Sequence, residues 1–208
     1  MANTADTRCA PQAVVRTFIA VSLPVTVQLA LANLQYQELL PGWKWVKPEN
    51  MHITLRFLGN TTSKQLEQVT KACCKAVSNL HAFNMRVHKT GVFPNWGRPQ
   101  VYWAGLAGQT ANLQNLANQL EKALVAMGLP AADKPFRPHI TLARCRGLCP
   151  AVVGERLQQS GQHLDTEFAV ESITVFRSDL TPQGPVYKPL QVIQLSAQPG
   201  ERELRKKE

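Results

Sequence analysis

The tetrapeptide His-Ile-Thr-Leu occurs twice in this sequence, at residues 52–55 and 139–142. A His-x-Thr pattern alone recurs by chance in some chains, but repetition of the isoleucine and the leucine as well makes chance a poor explanation. Both copies lie in β-rich segments, and the elements around them follow a similar order of strand and helix. An internal duplication explains the repeat, so we expect two similar lobes that each contribute one motif-bearing strand.

Strand geometry limits what the two motifs can do. Side chains two positions apart in a strand face the same side, so His52 projects with Thr54, and His139 projects with Thr141. The isoleucine and leucine of each copy face the other way, into the core of each lobe. Two such strands brought together present two imidazoles and two hydroxyls in one cleft. Imidazoles exchange protons near pH 7, and hydroxyls can hydrogen-bond the oxygens of a phosphate between them.

Hydrophobic periodicity and turn residues predict the other elements. Ser63 is the predicted N-cap of the second helix. Several neighbouring strands are joined too closely for parallel crossovers, which favours an α+β fold with largely antiparallel sheets over a doubly wound one. Strands are expected at residues 16–23, 52–58, 83–93, 100–106, 139–144, 168–176 and 186–195, and helices at 24–39, 63–80 and 112–127.

The two ends of the chain differ from its middle. Residues 1–15 are small, polar and without periodicity, and are predicted to be a disordered lead-in. Residues 16–196 are expected to form a single bilobal domain, and residues 197–208 a charged, flexible tail. The apolar stretch after Arg16 is interrupted by Pro24 and Gln28, so it predicts a strand followed by a helix in preference to an export signal.

The chain carries 23 basic and 14 acidic side chains, which gives a net charge of +9. This excess favours anionic partners, with nucleic acid as the first expectation. No stretch of about 18 consecutive apolar residues is present, so the sequence predicts no membrane-spanning helix and no membrane partner. Basic side chains surround both motifs, namely Lys44, Lys47, Arg56, Lys134, Arg137, Arg144 and Arg146.

Neither motif contains the ligands of a common metal site. The nearest carboxylates, Glu49 and Asp133, lie outside both motifs, and the chain has no H-E-x-x-H or C-x-x-C spacing. There is also no G-x-x-x-x-G-K-[ST] loop to bind a nucleoside triphosphate. We therefore expect metal-free chemistry without a cofactor. The five cysteines form no such pair and indicate a reducing compartment, so the expected location is the cytoplasm.

Taken with the residues that flank them, the two His-x-Thr motifs make the sequence resemble the two-histidine phosphoesterases. The resemblance is to the branch of the bacterial RNA 2′,3′-cyclic phosphodiesterases, historically called 2′-5′ RNA ligases. The paired motifs point to the superfamily, and their flanks point to this branch. The resemblance covers about residues 16–195. It is carried by residues 16–20, 48–59, 101–106, 135–144, 176–180 and 184–187.

The resemblance implies a bilobal α+β fold with two pseudo-symmetric lobes, whose mainly antiparallel sheets flank a central cleft. It also implies that His52 is the proton donor and His139 the proton acceptor, which the symmetry of the motifs alone leaves open. The other implied substrate-binding residues are Thr54, Thr141, Arg144 and Phe18. Arg144 has the wrong strand parity relative to His139, so it reaches the cleft only if the strand ends or bulges. Phe18 is expected to stack on the terminal base.

The implied reaction opens a terminal 2′,3′-cyclic phosphate on RNA, such as a tRNA fragment, to a 2′-phosphate. ATP-independent 2′-5′ ligation at the same site is a further expectation, and the protein is expected to be a monomer. Two alternatives stay open at this point. One is a phosphodiesterase for 2′-5′ oligonucleotides or small cyclic nucleotides, and the other is a catalytically idle RNA-binding module.

Overall fold

The structure, a computed structural model, describes residues 14–37, 42–145, 147, 157 and 164–197. The predicted lead-in lies almost wholly outside these residues, as does the predicted tail. The described ranges contain strands β1 (Val14–Ser22), β2 (Trp43–Trp45), β3 (His52–Thr62), β4 (Phe83–Phe93), β5 (Val101–Gly108), β6 (Ile140–Cys145), β7 (Asp165–Val170), β8 (Ser172–Thr181) and β9 (Gly184–Gln194). They also contain helices α1 (Val25–Gln37), α2 (Ser63–Val77) and α3 (Thr110–Ala126), and a 3₁₀ turn at Pro48–Asn50.

The strands form one antiparallel sheet made of two halves. The order is β7-β4-β5-β6-β3-β1-β8-β9, and β2 pairs with the C-terminal part of β6. One half consists of β7, β4, β5 and β6, and the other consists of β3, β1, β8 and β9. Strands β3 and β6 meet at the centre through one residue pair, Ile53 with Ile140, so the sheet is narrowest where the two halves join. The prediction of an α+β fold with two lobes and antiparallel pairing is confirmed.

Helices α1 and α3 cover the sheet in an exchanged arrangement, because each packs on the half that does not contain the strand preceding it in the chain. Helix α2 packs on α3, and both contact β3, whereas α1, which follows β1 in the chain, contacts β7 of the other half. The stripe on α2 that faces the core contains Val69, Ala72, Cys73, Ala76 and Val77. The corresponding stripe on α3 contains Leu113, Leu116, Leu120 and Leu124, each with at most 1% exposure. Among the described residues, no helix is both long and apolar enough to cross a lipid bilayer.

The structure corrects two local predictions and adds one strand that was not predicted. The N-cap of α2 is Thr62, because the Thr62 backbone is extended and its side-chain hydroxyl accepts a hydrogen bond from the Gln65 backbone N–H. Ser63 is already in the helix. The predicted strand at residues 168–176 is two strands, since the chain breaks pairing at Glu171 and β7 and β8 lie in opposite halves. Strand β2 was not expected, because three residues show no readable alternation.

Candidate active site

The two motifs lie on neighbouring strands at the centre of the sheet. Because Ile53 pairs with Ile140 in an antiparallel register, the next positions set His52 opposite Thr141 and Thr54 opposite His139. Residues opposite each other in such a pair have Cβ atoms about 4.5–5.5 Å apart. Ile53 and Ile140 are fully buried on the other face. The structure therefore brings both imidazoles and both hydroxyls to one face.

Both histidines are held in the same tautomer by the same backbone contact. Nδ1 of His52 lies 2.7 Å from the Asn50 carbonyl oxygen, and Nδ1 of His139 lies 2.7 Å from the Arg137 carbonyl oxygen. A carbonyl oxygen can only accept a hydrogen bond, so Nδ1 carries the proton and donates it in each ring. Nε2 is thus the free nitrogen of each imidazole, and each can take a proton there.

Burial keeps both imidazoles neutral in the free protein. It lowers the pKa of His52 to about 4, with the charges of His139 and Arg144 acting in the same direction and the bond to Asn50 opposing. Burial also lowers the pKa of His139, with Arg144 adding to the effect and the bond to Arg137 opposing. Arg144 acts on both histidines and His139 acts on His52, so the three side chains share one electrostatic environment.

Arg144 reaches this environment because β6 contains a bulge. Trp103 of β5 pairs with Thr141, and Tyr102 pairs with Ala143, so Leu142 has no counterpart in β5. Leu142 and Ala143 are both fully buried, so the alternation of side chains between the two faces of the sheet shifts by one position there. Arg144 consequently returns to the face that carries Thr141. The bulge therefore places Arg144 on the same face as His139, although the number of residues between them would put it on the opposite face of a regular strand.

Strand β3 has a bulge at the equivalent position of the first motif. Ala20 of β1 pairs with Thr54 and Ile19 pairs with Arg56, which leaves Leu55 as the extra residue. The residue that then returns to the cleft face is Phe57, five positions after His52, as Arg144 is five after His139. Phe57 is 61% exposed, a large fraction for phenylalanine. The repeat therefore places an aromatic ring on one side of the cluster and a guanidinium on the other.

The structure does not leave Phe18 free to stack on a base. Its side chain is 3% exposed, and its ring centroid lies 4.8 Å from that of His52 and 4.8 Å from that of Tyr187. Phe176 stacks on it at 5.2 Å, and Phe57 lies 6.0 Å away. Because neighbouring rings cover it, Phe18 supports His52 from below, as Phe93 contacts His139 at 5.2 Å in the other half.

The hairpin of β8 and β9 closes one side of the cluster. The Asn50 side chain donates to the Pro185 carbonyl at 2.9 Å, and the Asn50 backbone carbonyl accepts from His52. Two positions after Pro185, the Tyr187 ring lies edge-on to His52 at 5.4 Å, and burial raises the pKa of this tyrosine. Asn50, Tyr187 and Phe57 were not among the predicted site residues. Symmetry with Arg144 could have indicated Phe57, whereas Asn50 and Tyr187 depend on a contact between distant segments.

In residues 14–37, 42–145, 147, 157 and 164–197, no group of three or more His, Cys, Asp or Glu side chains is arranged to hold a metal ion. The polar groups gathered at the centre of the sheet are instead two imidazoles, two hydroxyls and a guanidinium. Such a set can bind an anion and move protons on both sides of it.

Comparison with known proteins agrees with this arrangement. A relative from Thermus thermophilus named RNA 2′,3′-cyclic phosphodiesterase is 35% identical over 193 residues, which is 89% of this chain and 92% of that protein. One of the same name from Thermotoga maritima is 31% identical and covers 84% of this chain and 92% of its own length.

Solved structures show the same fold. The crystal structure of a Thermus thermophilus protein superposes with a TM-score of 0.73 at 33% identity, covering 88% of this chain and all of that one. Escherichia coli LigT complexed with 3′-AMP gives 0.70 at 23% identity and covers 88% and 99% of the two chains. The family model described as LigT-like phosphoesterase matches residues 21–103 and 106–187, one stretch around each motif. The chain belongs to the LigT-like phosphoesterase family.

Proposed function

We propose that this protein is an RNA 2′,3′-cyclic phosphodiesterase that opens a terminal 2′,3′-cyclic phosphate to a 2′-phosphate and a free 3′-hydroxyl. The observation that carries the proposal is the pair of imidazoles on adjacent strands, each with Nδ1 bonded to a backbone carbonyl and Nε2 free. The names of the relatives supply the substrate class. Fragments of tRNA that end in a 2′,3′-cyclic phosphate would fall within that class.

The reaction needs one proton taken and one given. His139 accepts a proton at Nε2 from a water molecule, and the water oxygen bonds to phosphorus. The bond between phosphorus and O3′ breaks, and His52 donates a proton from Nε2 to O3′. This assignment of donor and acceptor rests on the family resemblance. General acid–base groups of this kind contribute roughly 10²–10⁴-fold each.

A proton donor with a low pKa needs help from the substrate. In the free protein the pKa of His52 is about 4, so the ring is neutral at pH 7. A phosphate anion beside the ring favours the imidazolium and offsets the cost of burial. Binding of the cyclic phosphate therefore raises the pKa of His52 and favours a proton on its Nε2. The bound substrate thus brings His52 into the protonated state that the reaction requires.

The other side chains bind the phosphate and the terminal base. Thr54 and Thr141 donate to the non-bridging oxygens, and Arg144 stabilises the charge that develops as the water oxygen bonds to phosphorus. The base stacks on the exposed ring of Phe57, which takes the role expected of Phe18. If an RNA 5′-hydroxyl replaces water, the same bond to O3′ breaks and a 2′-5′ linkage forms without ATP.

The test uses an oligoribonucleotide that ends in a 2′,3′-cyclic phosphate, incubated with the purified protein in EDTA. We expect a product heavier by one water that resists a 3′-specific phosphatase. His52→Ala and His139→Ala should each lower turnover by at least about 100-fold with folding intact. A control variant, His81→Ala, changes an exposed histidine outside the cluster and should keep full activity.

Four outcomes contradict parts of the proposal. A histidine variant within tenfold of the wild type removes that residue from the chemistry. Loss of activity in EDTA that zinc restores overturns the metal-free reaction. Tight RNA binding without any product, with or without the histidines, favours an RNA-binding module, and activity confined to 2′-5′ oligonucleotides or small cyclic nucleotides favours a different phosphodiesterase.

A further inference from the structure

A groove of about 1030 Å³ leads away from the candidate active site. Its inner end is lined by Thr54, Phe57 and His139, and its outer part lies between α3 and residues 132–137. Pockets that hold one small molecule measure about 300–1,000 Å³. The groove is at the top of that range even though Thr141 and His52, which complete the phosphate cluster, are outside its lining. It therefore has room for more than the terminal nucleotide.

The lining of the groove matches a nucleic-acid strand. Gln114 and Asn118 on α3 and Gln100 before β5 contribute side-chain amides, which can bind base edges and sugar hydroxyls. Lys134 and Arg137 on the facing segment are exposed cations that can contact phosphates. The acidic residues of the lining are Glu121, which pairs with Arg56, and Asp133, which is exposed beside Lys134.

The outer wall of the groove is fixed before any ligand binds. Glu121 accepts the Ala132 amide at 2.7 Å through one carboxylate oxygen and pairs with Arg56 Nε at 2.9 Å through the other. The Arg56 guanidinium also donates to the Pro130 carbonyl. Arg56 belongs to the strand of the first motif, and the segment that it holds leads to His139. A preformed wall lowers the entropy cost of binding a flexible strand.

We propose that this groove binds the nucleotides that precede the cyclic phosphate, which makes the protein selective for RNA ends over free cyclic nucleotides. The inference rests on the proposed function. A 2′,3′-cyclic phosphate blocks both the O2′ and the O3′ positions, so the substrate continues only through its 5′ oxygen. The strand that enters the groove is therefore the upstream part of the same RNA.

The experiment compares two substrates with the same terminal nucleotide, a mononucleoside 2′,3′-cyclic phosphate and a tetraribonucleotide ending in that group. We expect the wild type to show kcat/KM at least about tenfold higher for the tetranucleotide, because its upstream nucleotides add several hydrogen bonds and a phosphate contact in the groove. The double variant Gln114→Ala/Asn118→Ala and the single variant Lys134→Glu should each reduce this ratio about fivefold or more.

Lys122→Glu is the matched control for the change of charge. Lys122 is exposed on α3 and is not part of the groove lining, so this variant should keep the wild-type ratio. Equal kcat/KM for the two substrates, or a ratio that the groove variants leave unchanged, overturns the inference while the proposed function stands. Failure to hydrolyse either substrate overturns the proposed function and this inference with it.

Discussion

At the scale of single residues, the neutral state of His52 links the chemistry of the site to the stability of the fold. The pKa of His52 is about 4 in the folded protein, against 6.5 in an unfolded chain. The unfolded state therefore binds a proton at higher pH than the folded state does. The stability that follows from this difference is fully present above pH 6.5 and is lost as the pH falls toward 4.

We expect this loss to amount to about 3 kcal/mol at pH 4. The measurement is urea unfolding of the wild type and of His52→Gln at several pH values between 7 and 4, with the pKa of His52 followed by NMR. Glutamine cannot take up a proton, so the free energy of unfolding of the wild type should fall relative to that of His52→Gln by about 3 kcal/mol as the pH falls from 7 to 4. A difference that does not depend on pH would contradict the low pKa.

Arg144 offers a second prediction for single residues, because its charge lowers the pKa of both histidines. Arg144→Ala should raise both pKa values and lower kcat by roughly 100-fold, as expected for loss of one group that stabilises a developing negative charge. NMR titration and initial rates measure the two effects separately. Arg98→Ala, a change to an exposed residue in the β4–β5 turn, is the control. Unchanged histidine titration in Arg144→Ala would show that the guanidinium is not close to the imidazoles.

At the scale of elements, the start of α2 shows how a local hydrogen bond decides a boundary. Thr62 and Gln65 satisfy each other in a reciprocal cap, with the Thr62 amide donating to the Gln65 side chain at 2.9 Å. Thr62→Ala should lower the free energy of unfolding by about 1 kcal/mol. Ser63→Ala, one residue along and inside the helix, should change it by less than about 0.5 kcal/mol. Denaturant unfolding of both variants decides between the two residues, and equal losses would contradict the cap.

The link between the 3₁₀ turn and the β8–β9 hairpin is a second feature at this scale. Asn50→Ala removes the bond to Pro185 but keeps the backbone carbonyl that orients His52. We expect kcat to fall about tenfold with KM little changed, because the hairpin that carries Tyr187 loses its tie to the turn. Asn112→Ala on the exposed side of α3 is the control. A variant that loses only stability would limit Asn50 to a structural role.

At the scale of the whole molecule, the exchanged helices make the two halves of the chain depend on each other. A fragment of residues 1–108 has α1 without β7, and β3 without α3. Neither this fragment nor residues 109–208 should give a cooperative thermal transition alone, since each exposes a core-facing surface to water. Circular dichroism of the fragments, separately and mixed, measures this. A cooperative transition in one fragment alone would show that its lobe folds independently.

The sequence predicted the features that follow from local pattern. A strand period of two placed His52 with Thr54 and His139 with Thr141, and the repeat paired the two strands. The position of Arg144 required a bulge at Leu142, and no residue type in the motif indicates one. The burial of Phe18 depends on Tyr187, more than 160 residues along the chain, whose approach is decided by the pairing of the last strands. Contacts between distant segments were thus the limit of the prediction.

The pairing of β1 with β8 has a consequence for the time at which the site forms. Strand β1 pairs early with β3, but Thr17 also pairs with Arg177, so β1 finds its second neighbour, β8, only after most of the chain is available. Contacts between residues so far apart in sequence slow folding, because a long loop must close before they form. Tyr187, which covers Phe18 and His52, comes later still. A polypeptide emerging from the ribosome therefore carries both motifs well before the candidate active site is complete, and the final hairpin completes that site.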